Sequence, residues 1–341
     1  MSDLFFSTHP DLSAKDFVSK ALKDIGGERA IEALKQMYLI RHLEARGEAA
    51  YQHGLVGGFY HAYSGQEAIQ VSAVHALGVS NWWITTYRCH ALALLLGATP
   101  NEVMAELYGK ETGNAKGRGG SMHLFADTLL GGFGIVGGHI PIAAGAAFSA
   151  KYLKNNKLAV CFMGDGAVAQ GAFHEALNLS SLWDLPAIYV IENNQWGMGT
   201  HVDRALCVER IAEMQAPSYR MKGYTLDGMC YFSCYLAFQH IAKEVQQTKR
   251  PVLVECVCER FRGHSISDPG LYRSKEELEK AMKRDPLHYL AHILVEHKVL
   301  KECDVKAIDK EQKEVVLAAM EFAKESSDPS PATLEEGVYA P

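Results

Sequence analysis

Two unbroken apolar runs separated by one helix-length segment do most to restrict how this chain can fold. The first, Leu158-Ala159-Val160-Cys161-Phe162-Met163, stops at Gly164-Asp165-Gly166. The second, Ala187-Ile188-Tyr189-Val190-Ile191, stops at Glu192-Asn193-Asn194. Strands with no polar alternation are covered on both faces, as in parallel sheets. The stretch between them, roughly Gln170 to Leu182, reads as a helix. A strand–helix–strand unit returns a parallel neighbour whose carboxyl end points the same way. Pro251 to Cys258 and the short run Trp82 to Thr86 fit the same sheet. The expected fold is a doubly wound parallel α/β sheet.

Helical spacing marks Ala30 to Ala50, Ala68 to Leu77, Ala91 to Leu96, Lys275 to Lys283 and Lys306 to Lys324. One domain is expected: a helical N-terminal extension (1–57), a core (58–262), then an active-site loop with C-terminal helices (263–341). Ile140 to Tyr152 is rich in Ala and Gly, which suits either a close contact with another chain or a buried core helix. Glycines crowd Tyr108 to Gly138, a segment expected to lack regular structure and to serve function.

In an open parallel sheet, ligands collect beyond the carboxyl ends of the strands. Asp165 and Asn194 stand at two such ends, joined by one crossover. A carboxylate and an amide oxygen are hard ligands. They suit Mg²⁺, which takes few protein oxygens and fills its octahedron with water and phosphate oxygens. Glycines beside Asp165 let an anion reach the backbone, and the helix that follows is expected to offer free N–H groups. The expectation is a Mg²⁺–diphosphate site. Taken singly, Gly-Asp-Gly is only a turn and Asn193-Asn194 only a strand end.

Further motifs follow in order: GFYHAYSGQEA (Gly58 to Ala68), TYRCHA (Thr86 to Ala91), KGRGGSMHLF (Lys116 to Phe125), GIVGGHIP (Gly134 to Pro141), ENNQWGMGT (Glu192 to Thr200) and RGHSISDP (Arg262 to Pro269). Together with the strand-end residues, they resemble the alpha subunits of the thiamine diphosphate-dependent 2-oxo acid dehydrogenases, nearest to those acting on pyruvate. The resemblance covers roughly Ala30 to Leu300. It implies a sheet of the thiamine diphosphate-binding type, with Asp165, Asn194 and the carbonyl of Trp196 on Mg²⁺; the family usually has Tyr at that last position. It places Gly166, Ala167, Tyr87 and Arg88 on the diphosphate, Gly134 and Val136 beside the ring system, and Ala126 at a weaker contact. His61 is implied on the substrate side, and His264 near the diphosphate and the reacting centre. Ser265 matches a position that kinases modify in mitochondrial relatives, although the second serine of that loop is missing here; an ordinary loop hydroxyl is the other reading.

The resemblance also implies what this chain lacks. The carboxylic acid serving the aminopyrimidine end belongs to a beta subunit, in a tetramer of two alpha and two beta chains that passes an acyl group to a lipoyl-bearing acyltransferase. Pyruvate is the expected substrate, with branched-chain 2-oxo acids and acetoin as alternatives. A self-sufficient Mg²⁺-dependent phosphohydrolase and a non-catalytic scaffold are the competing readings of the Asp165/Asn194 pair.

Other classes fit less well. A formal net charge of −6 argues against a general nucleic-acid binder, and no apolar run approaches the length of a membrane span. Met1 to Lys20 has three Asp and no Arg, unlike a targeting segment. The eight cysteines include no C-x-x-C pair and are expected to be free thiols in a reducing, cytoplasmic setting. Gly132 to Gly137 fits G-x-G-x-x-G, but no β-rich strand is read before it and no acidic residue lies about 20 positions on. His174-Glu175 lacks the second His of H-E-x-x-H, and no G-K-[ST] follows Lys110 or Lys116.

Overall fold

The computed structural model describes residues 15–339. Most of the Met1 to Lys20 stretch read for a targeting signal, and the outer ends of both expected extensions, lie outside the described residues. The strands are β1 (Trp82–Thr86), β2 (Leu129–Phe133), β3 (Ala159–Gly164), β4 (Ala187–Asn193), β5 (Trp196–Gly197), β6 (Thr200–His201), β7 (Lys222–Asp227) and β8 (Val252–Val257). Six form one sheet in the order β2-β1-β3-β4-β8-β7, every pair parallel. The two-residue strands β5 and β6 make a small antiparallel hairpin.

The helices are α1 (Lys15–Ile25), α2 (Gly27–Gln52), α3 (Glu67–Leu77), α4 (His90–Leu95), α5 (Pro100–Leu107), α6 (Ile140–Leu153), α7 (Gly171–Leu182), α8 (Ile211–Gln215), α9 (Tyr231–Thr248), α10 (Lys275–Met282), α11 (Pro286–Glu296) and α12 (Glu302–Glu325). Strand parity assigns them to layers. Val160, Phe162, Ile188 and Val190 share a core with Ile69 of α3, Leu92 of α4 and Phe238 of α9. The alternate residues Cys161, Met163, Tyr189 and Ile191 pack with Ala143 and Ala147 of α6 and Phe173 and Leu177 of α7. Both faces of the sheet are covered, as the unbroken apolar runs require. A third cluster joins α1, α2 and α11 through residues such as Leu34, Met37 and Leu290.

The small-residue helix α6 is a core helix on its Ala143/Ala147 face, while Ile142, Phe148 and Tyr152 are exposed on the other. All eight cysteines are free thiols, and no helix among the described residues is long and apolar enough to cross a membrane.

Three differences from the sequence reading have physical causes. The glycine-rich segment contains β2, whose Gly132 lies where a Cβ would sit 2.5 Å from Cys89 Sγ. Close approach, not disorder, explains that glycine. Because β2 runs into the Gly132–Gly137 motif, a preceding strand is present after all, and only the missing acidic residue speaks against a dinucleotide site. The rest of the segment winds around the buried Glu106 carboxylate, which accepts from the backbone N–H groups of Ala115, Gly117, Gly119 and Gly120. Finally, the helix after Gly164-Asp165-Gly166 does not begin at once. A 3₁₀ turn, Asp165–Ala169, intervenes before α7.

Candidate functional site

The order of the sheet fixes the place of the site. Between β1 and β3 the chain reverses its direction of sheet building, and crevices at such switch points receive ligands. A cavity of about 330 Å³ opens there, lined by residues following β1 (Tyr87, Arg88), β3 (Asp165, Gly166, Ala167), β4 (Asn194, Trp196) and β8 (Arg260, His264). Register brings the tips level, because Gly164 pairs with Glu192 and Glu192 with Cys256. The turn after β3 and the hairpin after β4 abut at glycines, with a Cβ on Gly166 only 3.7 Å from the Gly197 Cα. Residues of the 3₁₀ turn, rather than α7, face the cavity.

Asp165 is 3% exposed, and burial pushes its carboxyl up to about 6 against the opposing pull of Arg260, His201 and Arg88. A buried carboxylate held this way gains from a bound cation. Asn193 and Asn194 part company at the β4 tip. Asn193 turns away, donating to Glu255 Oε1 (2.7 Å) and accepting from the Gln195 backbone N–H (3.0 Å). Asn194 stays on the cavity, its Oδ1 accepting from the Trp196 backbone N–H (3.3 Å) and its Nδ2 donating to Gln66 Oε1 (3.0 Å). Gln195 (φ 67°) and Met198 (φ 53°) both take left-handed backbone around Trp196-Gly197, conformations that cost about 1–2 kcal/mol each for non-glycine residues.

Two buried guanidinium groups face the same space. Arg88 donates to the carbonyls of Ala62 (2.9 Å) and His264 (2.7 Å). Arg260, fully buried, donates to the carbonyl of Trp196 (3.1 Å) and to the Tyr272 hydroxyl (2.6 Å). Among the described residues neither makes an ion pair with a carboxylate; the two guanidinium charges act on the buried Asp165 carboxyl only at longer range. Burial and the neighbouring Arg88 hold Arg260 down at about 10. Such a site suits an anion.

His61, Tyr87 and His264 form a ring cluster, with centroids 4.4 Å (His61–Tyr87), 5.1 Å (His61–His264) and 5.5 Å (Tyr87–His264) apart. Burial and Arg88 depress both imidazoles, His61 to about 3 and His264 to about 4, so both are neutral near pH 7. His61 itself is one layer behind the lining. Val136 is on the lining and half-exposed, and Gly134 is exposed two residues before it. Ala126 does not reach the cavity. It bridges to Leu129 and lines a separate depression with Asn114, Phe125 and Asp127, because the loop before β2 folds back on itself. Ser265 is buried, with its hydroxyl 2.9 Å from that of Ser267.

Gln66, Arg260 and Glu192 also line the cavity; Gln66 and Glu192 lie in motifs legible in the sequence, whereas Arg260 lies in none and its signal is only its place just after an apolar strand. Glu192 is a fully buried carboxyl bonded by the Tyr63 hydroxyl and by Gln70, and burial raises it to about 7. No cluster of three His, Cys, Asp or Glu able to hold a metal exists among the described residues. A cation here would therefore rest on one carboxylate, an amide, a backbone carbonyl and oxygens from outside the protein.

The fold and this crevice define a doubly wound α/β protein with an anion-receiving site at its switch point. Residues 35–332 match the family described as Dehydrogenase E1 component, and the chain belongs to that family. It is similar to the pyruvate dehydrogenase E1 component subunit alpha of Rickettsia typhi, 43% identical over 317 residues, covering 92% of this chain and 96% of that protein. The protein of the same name from Rhizobium meliloti is 38% identical over 324 residues (94% and 92% covered). The chloroplastic pyruvate dehydrogenase E1 component subunit alpha-3 of Arabidopsis thaliana is 40% identical over 325 residues (92% and 75% covered).

Proposed function

We propose that this chain is the alpha subunit of a pyruvate dehydrogenase E1 component and holds thiamine diphosphate and Mg²⁺ at the tips of β1, β3, β4 and β8. The observation that carries this reading is the convergence of Asp165, Asn194, Trp196 and two guanidinium groups without carboxylate partners on one cavity. The donor set fits the ion. Asp165, the Asn194 amide oxygen and the Trp196 carbonyl are hard ligands that leave room for diphosphate oxygens. The Trp196 carbonyl, not its indole, is the ligand, so Trp serves where the family has Tyr.

Gly166, Ala167, Tyr87 and Arg88 would hold the diphosphate, Gly134 and Val136 would flank the ring system, and Ala126 would make a weaker contact. When bound, the coenzyme supplies the nucleophile and the electron sink for decarboxylating a 2-oxo acid. The chain's own part is to neutralise and orient the diphosphate and to shelter the reacting end. His61 and His264, neutral at pH 7, offer hydrogen bonds beside the substrate without adding charge.

Asp165 and Glu192 are the two carboxyls on the cavity lining, and Glu192 is tied to Tyr63 and Gln70. As the family resemblance implies, a carboxylic acid for the far end of the coenzyme would come from a beta subunit, in an assembly of two alpha and two beta chains. The exposed Ile135 and Val136 give the cavity mouth an apolar rim that suits such a neighbour. The acetyl group passes to a lipoyl-bearing acyltransferase, and the free thiols suit a reducing, cytoplasmic location.

The test is reconstitution. The purified chain shows no thiamine-dependent decarboxylation of pyruvate, and adding its beta subunit restores it. Reduction of an artificial acceptor by the pair with pyruvate, a branched-chain 2-oxo acid and acetoin then assigns the substrate. Robust turnover by this polypeptide alone, or phosphate-ester hydrolysis without thiamine diphosphate, contradicts the proposal.

A further inference from the structure

Gln66 sits where a metal ligand is decided. It is the N-cap residue of α3, 1% exposed, and lines the cavity. Its neighbours leave it little freedom. Gly65 has φ +99°, and a Cβ there would meet the Glu259 carbonyl oxygen at 2.4 Å. The Gly65 backbone N–H donates to Glu67 Oε2 (2.9 Å), while Glu67 Oε1 accepts from Arg41. The turn Gly65-Gln66-Glu67 is thus clamped between α2 and the chain leaving β8.

From this fixed post, Gln66 Oε1 accepts from Asn194 Nδ2 (3.0 Å) and, more weakly, from Cys258 Sγ (3.6 Å). An amide has two ends of nearly equal size and opposite hydrogen-bonding character. Only one end, the oxygen, ligates a hard cation. Nothing in the Asn194 side chain itself selects which end faces the metal. The Trp196 backbone N–H at 3.3 Å favours oxygen on its side, and Gln66 Oε1 requires nitrogen on the other. Flipping Asn194 alone would set oxygen against oxygen at Gln66 and N–H₂ against N–H at Trp196; flipping both amides together would still set N–H₂ against N–H at Trp196 and would lose the Cys258 Sγ contact to Gln66 Oε1.

We infer that Gln66 is a positioning residue that locks the Asn194 amide with its oxygen toward the metal. Groups that orient a metal ligand typically change metal affinity by about 10–100-fold when removed. The inference rests on the metal-site reading above.

The experiment is titration of Mn²⁺ by electron paramagnetic resonance, with thiamine diphosphate, on the full chain assembled with its beta subunit. Gln66→Met keeps the volume of the side chain and removes both polar ends. The expected result is Mn²⁺ affinity about 10–100-fold weaker than in the unaltered protein, with the circular dichroism spectrum and unfolding midpoint retained. The deciding step repeats the exchange beside Asn194→Asp. A carboxylate has two equivalent oxygens and no wrong orientation, so there Gln66→Met costs less than about threefold. Equal losses in both backgrounds indicate general damage to the site and overturn the inference, as does unchanged Mn²⁺ affinity in Gln66→Met alone. If the unaltered assembly binds no Mn²⁺, the metal-site reading fails first and takes this inference with it.

Discussion

Glu106 gives the sharpest test of how the glycine-rich segment is built. Its carboxylate is fully buried at the end of α5 and accepts four backbone N–H groups: Gly119 (2.7 Å) and Gly120 (3.1 Å) on Oε1, Ala115 (2.8 Å) and Gly117 (2.9 Å) on Oε2. Glu106→Gln preserves shape but turns an N–H₂ group toward one pair of donors. Each orphaned buried donor costs about 1–3 kcal/mol, so the exchange destabilises the loop by about 2–6 kcal/mol. That is a large share of the roughly 5–15 kcal/mol by which a domain is stable. The loop offers trypsin Lys110, Lys116 and Arg118. At the lower bound, local opening becomes about 30-fold more populated, and cleavage accelerates by the same factor. Mass spectrometry of a short trypsin digest locates the new cuts, and urea unfolding gives the global cost. Cleavage within about twofold of the unaltered protein, together with an unchanged midpoint, would refute the claim that this carboxylate organises the loop.

Two pH effects follow from the buried ionisable groups. Glu192, raised to about 7, binds a proton in the folded state across a window where an unfolded Glu has lost it; its stabilising contribution is complete below about 4.5 and is lost as pH rises through 7. Glu192→Gln therefore flattens the fall of the unfolding midpoint between pH 4.5 and 8, and an unchanged pH profile counts against the assignment. His61 and His264 have the opposite sense, since their folded values of about 3 and 4 lie below the usual 6.5. The unfolded chain takes up these protons first, so stability falls as pH drops below about 6.5. Their ring C–H resonances remain in the neutral position down to pH 5, and titration near 6.5 would show that the ring cluster is open to water.

The sheet was legible because β3 is an unbroken apolar run and β4 and β8 are apolar apart from Glu192 and Asn193 at the β4 tip and Glu255 in β8, a pattern a strand adopts when both faces are covered. The Asp165/Asn194 convergence followed from one crossover. Elements with mixed chemistry were not legible. β7, Lys222-Gly223-Tyr224-Thr225-Leu226-Asp227, is an edge strand with polar ends, and β2 hides its strand character behind Gly131-Gly132. α9 and α11 also escaped notice, having no clean charged face to announce them, although α11 begins at Pro286, the first-turn position where proline is favoured.

At the site, Asp165, Asn194, Tyr87 and Arg88 were readable from strand ends and motif spacing as residues that share the cavity, whereas Gln66 and Arg260 act through side-chain contacts formed only after folding. The available signal was a polar amide directly before a mostly apolar helix, Glu67 to Leu77, and an arginine at the end of an apolar strand.

The central claim is that the tips of β3 and β4 seize one divalent ion and, through it, the diphosphate of the coenzyme. Anomalous diffraction from crystals of the assembled protein grown with Mn²⁺ and thiamine diphosphate tests this directly. The account predicts a single peak in the cavity, within coordination distance of an Asp165 carboxylate oxygen, Asn194 Oδ1 and the Trp196 carbonyl, with the diphosphate alongside. A peak elsewhere, or a diphosphate bound away from these three residues, contradicts it.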